Sequence, residues 1–129
     1  MTDAFELADW EGLPRVLGNV AFRKLHFKKG QVLPPHKHNF AHAHRVAFGS
    51  IRCKLWDGDT VVSDTLYHAG DWFDVPAKLG HQLIAETEIA VGECIFAVRN
   101  EDGGVAYEVT DAHRKDNFWH ERIGRGDNV

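Results

Sequence analysis

Residues Gly30 to Gly49 read GQVLPPHKHNFAHAHRVAFG, and His36, His38, His42 and His44 place four of the chain's nine histidines within nine positions. On an extended chain, residues two apart project from the same face. His36 and His38 are therefore paired on one face, and His42 and His44 repeat the relation after a short turn at Asn39-Phe40-Ala41. Neutral imidazole is the commonest protein ligand for transition metals, and two facing His-x-His pairs have the spacing of a site for one ion. Tags of consecutive histidines sit at termini and are not interrupted by Pro, Phe and Val.

Outward from this stretch the pattern is that of short strands. Before it, Val20 to Lys28 reads as a strand whose apolar parity switches between Phe22 and Leu25, which predicts a bulge near Arg23-Lys24. The clusters Arg23-Lys24 and Lys28-Lys29 read as the solvated side of that strand. Pro34-Pro35 stiffens the approach to His36. After Gly49, Ile51, Cys53 and Leu55 alternate with Arg52, Lys54 and Trp56, and Asp57-Gly58-Asp59 predicts a hairpin into Thr60–Tyr67. Trp72 to Val75 is a short strand, and the loop from Pro76 to Gly80 delivers His81 at the head of HQLIAET. Ile89 to Val98 supplies one or two strands, and Val105 to Thr110 a last one. Strands broken by turn signals every eight to twelve residues predict an all-β sandwich or barrel.

At 129 residues with 43% hydrophobic content the chain has room for one domain and one core. Three parts are expected: an N-terminal arm over residues 1–18, a barrel over 19–110, and a C-terminal segment over 111–129 with a short helix around 117–123. The arm carries Phe5, Leu7, Trp10 and Leu13, which seek cover on the barrel or on a second subunit, so a homodimer is expected. A formal net charge of −4 argues against a nucleic-acid footprint, and no apolar run approaches membrane length. Cys53 and Cys94 lie in separate strands with no C-x-x-C, which predicts buried free thiols. With no basic and apolar leader at the start, a cytoplasmic location is expected.

The spacing Gly30, five residues, His36-Lys37-His38, three residues, His42, six residues, Gly49 resembles the first motif of the cupins. Gly70, five residues, Pro76 and then His81 resembles the second. The resemblance implies a double-stranded β-helix, or jelly-roll barrel, holding a divalent transition metal (Fe, Mn, Ni or Zn) in its mouth. It assigns His36, His38 and His81 as ligands, and it places His42, expected as the fourth ligand, where cupins often carry a glutamate. Lys78 stands at a position where the motif usually has glycine. His44 falls on the inward parity, where three roles stay open: a further ligand, a hydrogen-bonding neighbour that fixes a ligand's tautomer, or a core histidine. The second is favoured. Phe40, Trp72, Phe73 and Lys78 flank the ligands and are the candidate contacts for a small-molecule substrate.

An all-histidine site leaves the full charge of a divalent ion uncompensated, which suits an anionic or chelating substrate. The resemblance implies dioxygenase-like chemistry on a small oxygenated or carboxylated molecule, with lyase or isomerase chemistry next. A non-catalytic ligand-binding module and a structural metal site stay open, since one fold hosts many functions. Structural zinc sites often use cysteine, and here both cysteines lie outside the motifs, which favours an open, reactive site.

Overall fold

The fold comes from a computed structural model, which describes residues 8–10, 15–36, 41–100, 102 and 104–110. Among these residues there are ten strands and no helix: β1 Asp9–Trp10, β2 Arg15–Leu17, β3 Val20–Lys28, β4 Val32–His36, β5 His42–Phe48, β6 Ser50–Asp57, β7 Thr60–His68, β8 Trp72–Val75, β9 Gly80–Ala85 and β10 Ile89–Ala97. They form two antiparallel sheets. One runs β1-β3-β10-β5-β8, with β2 also paired to β3, and the other runs β4-β9-β6-β7. The chain alternates between the sheets, so strands distant in sequence become neighbours. The helix expected around residues 117–123 lies outside the described residues.

The two-residue period decides which faces meet. Leu25 and Phe27 of β3, Val46 of β5, Phe73 and Val75 of β8 and Ala90 of β10 point from one sheet toward Ile51 and Cys53 of β6 and Leu83 and Ala85 of β9. All are buried, and together they form one core between the sheets. A second cluster, Ala21, Cys94, Phe96, Val98 and Ala106, continues that core along β3 and β10.

Two expectations from the sequence differ from what is found. Strand β3 has no bulge: it pairs with β10 from Val20 through Lys28 without a shift of register. Phe22 simply lies on the other face, where β2 joins at Arg15, while Ala21, Arg23, Leu25 and Phe27 share the inward parity. The segment expected as a last strand makes only an isolated bridge, Val105 to Arg99. Its backbone bonds, Ala106 N to Val98 O and Asn100 N to Gly104 O, suffice to tuck Ala106 into the second cluster without a ladder.

The predicted hairpin is present, with Asp57 paired to Thr60 across a two-residue turn and Gly58 at φ +58°. The described pieces of the N-terminal arm join the first sheet at its edge, with Asp9 opposite His26 and Trp10 opposite Leu25.

Candidate metal centre

Strand β5 brings two histidines inward because His42, His44 and Val46 share one parity, and their burial follows it. Strand β9 does the same from the opposite sheet with His81, Leu83 and Ala85. The histidines thus meet across the interior. His42 is 6% exposed, His44 3% and His81 fully buried.

One ring nitrogen from each of the three lies within 4.8 Å of the others. The Nε2 atoms of His42 and His44 are 3.2 Å apart, and ring centroids are 5.3 Å apart for His42 and His81 and 6.2 Å for His44 and His81. Two nitrogens each about 2.1 Å from one ion sit about 3.0 to 3.4 Å from each other in octahedral or tetrahedral geometry, so the His42–His44 spacing fits shared coordination. The donor set fits as well. Three imidazoles with no carboxylate or thiolate among the described members of the cluster suit a transition metal rather than calcium or magnesium. Three protein ligands leave positions for a substrate, as catalytic sites do.

His44 stands beside His42, in the cluster itself. Its ring is held from behind: Phe73, directly opposite on β8, stacks on it at 5.3 Å with planes 13° apart. Tyr67 of β7 stacks in turn on Phe73 at 4.1 Å. Tyr67 has no spacing relation to the histidines in the sequence. Its pairing with the inward-facing Ile51 carries it to the inner face.

The backbone of His36 lies directly opposite His81, which puts the head of the first motif on the same row as the second-motif histidine. The side chain of His36, and His38 and Phe40 altogether, lie outside the described residues. Trp72 is on the outer face, 61% exposed, with the Arg45 guanidinium 5.7 Å from its ring centre, and Arg45 pairs with Glu93 at 2.8 Å. It is not brought to the histidines. Lys78 is exposed in the turn between β8 and β9 and adopts φ +68°, the left-handed conformation that glycine takes most readily.

Arg23 is on the inner face, contrary to its reading as part of a solvated side. It is directly opposite Cys94, which is directly opposite His44. The signal was available: counting back by twos from the buried Phe27 and Leu25 reaches Arg23, and Phe22 masked it. Burial pushes the Arg23 guanidinium below its ordinary pKa, with Cys94 acting the other way.

No protein-family model matches the chain, and no curated protein matches it. Solved structures do match. A variant of Bacillus subtilis oxalate decarboxylase is 25% identical with a TM-score of 0.55, over 62% of this chain and 21% of that one. The match thus spans about a fifth of the decarboxylase's length. KdgF from a Halomonas species is 19% identical with a TM-score of 0.59, over 73% of this chain and 89% of that one. An RmlC-like cupin with a double-stranded β-helix fold from Methanocaldococcus jannaschii is 15% identical with a TM-score of 0.58, over 75% and 85%. The likeness at these identities is one of fold, and it agrees with the two antiparallel sheets. The chain is a cupin by fold, a double-stranded β-helix with a three-histidine cluster inside it.

Proposed function

We propose that this chain is a metal-dependent enzyme of the dioxygenase-like kind, acting on a small oxygenated or carboxylated molecule. The observation that carries the reading is the convergence of His42, His44 and His81, all buried, with ligand atoms within 4.8 Å. His36 and His38 are further candidate ligands on the strength of the motif. Two enzymes among the structural neighbours, oxalate decarboxylase and an oxalate oxidase, support the reading of the chain as an enzyme.

His42, His44 and His81 would hold a divalent ion, which would supply Lewis acidity and, if redox-active, one-electron chemistry. The chain's own part is placement. Two strands from opposite sheets fix three imidazoles, and the Phe73–Tyr67 stack holds the plane of His44 and keeps water from that side. Uncharged ligands leave the ion's charge to be balanced by substrate, which favours anions.

Protein purified without a chelating column, reconstituted with Fe(II), Mn(II), Ni(II) or Zn(II), would be screened for oxygen uptake with small diketones, thiols and hydroxy acids. Oxygen consumption that requires the metal and is lost in His81→Ala is the expected result. Turnover without oxygen consumption would replace the oxygenase reading by a lyase or isomerase. Metal binding with no turnover of any compound would make the chain a ligand-binding module.

A further inference from the structure

Apart from the histidines, the inward positions of β5, β6, β8, β9 and β10 are hydrophobic or glycine. Strand β7 departs from this. Its inward positions are Ser63, Thr65 and Tyr67, directly opposite Leu55, Cys53 and Ile51 of β6. A strand does not require hydroxyls there, since valine or isoleucine suits an inner face better. The three are half-buried, whereas Cys53 and Ile51 beside them are buried, because β7 ends its sheet. Water therefore reaches this side of the interior.

The hydroxyls lie toward the histidines. Tyr67 stacks on Phe73 and so ties β7 to β8 between the two sheets. From that contact, two residues along each strand toward the His81 row reach Thr65 on β7 and Val75 on β8, and Val75 is directly opposite His42. Ser63 is on the His81 row itself, separated from it by Leu55. The Ser63 and Thr65 hydroxyl oxygens are 3.4 Å apart, well beyond the roughly 2.8 Å of a good O–H···O bond, and among the described residues no other hydrogen bond engages either. Each can both donate and accept. No Lys, Arg, Asp or Glu occupies an inward position of β5 to β10, so a charged group brought to these hydroxyls would lack a counter-charge. The group that complements them is uncharged and itself donates and accepts, as an alcohol does.

We propose that Ser63 and Thr65 are specificity-determining residues of the histidine site and select short polyhydroxy acids, the acid end facing the histidines and the further hydroxyls pairing with β7. This rests on the metal-site reading above, which supplies the attraction for the acid end.

The test is calorimetric titration of the full chain, metal-loaded and metal-free, with two pairs of acids of matched carbon skeleton: glycerate against lactate, and threonate against 2-hydroxybutyrate. Both members of a pair carry the same α-hydroxy acid end and differ only in the further hydroxyls. Wild-type protein is expected to bind the richer member more tightly by about fivefold or more. Thr65→Val with Ser63→Ala should bring it down to the affinity of its partner, with metal content unchanged, and Thr65→Ser should keep the preference. Equal affinities within each pair, or no binding of any of the four acids, in the wild type would overturn the proposal. So would a preference that survives in the double variant, or a loss of both members alike, which would mark the hydroxyls as structural. The wild-type comparison needs no variant, so it decides even if the double variant does not fold. A chain that takes up no metal but keeps a preference lost in the double variant defeats the metal reading alone. Full metal loading with equal affinities within each pair defeats this proposal alone.

Discussion

The ring of His44 meets Phe73 stacked behind it and the Nε2 of His42 3.2 Å in front, and one substitution separates these two contacts. His44→Phe keeps an aromatic ring against Phe73 and removes the nitrogen. If His44 is a ligand, this variant should lose metal affinity by about tenfold or more while its apo form keeps most of its thermal stability. Metal affinity equal to wild type, measured by competition with a chromophoric chelator, would return His44 to a packing role. At this scale the sequence made His42 and His81 legible through spacing, because a period of two fixes which side chains share a face. It left His44 undecided, because parity says that a residue points inward but not how far its ring reaches. Arg23 was misjudged because a neighbouring phenylalanine suggested a bulge that the pairing with β10 does not contain.

The turn between β8 and β9 delivers His81, and it does so with a non-glycine residue at φ +68°. An L-residue there is held at a cost of about 1 to 2 kcal/mol, part of which glycine returns as backbone entropy in the unfolded chain. Lys78→Gly should therefore stabilise the fold by up to about 1 kcal/mol, a rise of about 4 °C in the unfolding midpoint. A fall in that midpoint by calorimetry would mean that the lysine side chain supports the turn. The element boundaries that could be read from sequence were those with both a clean alternation and a turn signal, as in Ile51 to Leu55 followed by Asp57-Gly58-Asp59. Val105 to Thr110 has apolar residues but no partner strand to complete a ladder. Pairing is a property of the sheet, which no single segment carries.

Over the whole molecule both cysteines are buried and free, and burial raises each thiol pKa to about 12. In the unfolded chain they ionise near pH 8.5 to 9, so between about pH 9 and 12 the unfolded state binds fewer protons than the native state. The stability they contribute is full below about pH 9 and is lost as pH rises through that window. Urea midpoints should fall from pH 9 to 11, and less steeply in Cys53→Ala with Cys94→Ala; identical slopes would assign the loss to other groups. We also propose that the chain forms a homodimer, covering exposed Phe48, Ile89 and Trp72. Light scattering that gives a monomer mass at high concentration would remove that proposal. The central claim is that the cupin barrel holds a metal ion on His42, His44 and His81, and elemental analysis of the native chain after reconstitution and desalting tests it most directly. About one equivalent of transition metal per chain in the wild type, falling to near zero when all three histidines are alanine, is the result expected. No bound metal in the wild type, or equal metal in a folded triple variant, would contradict it.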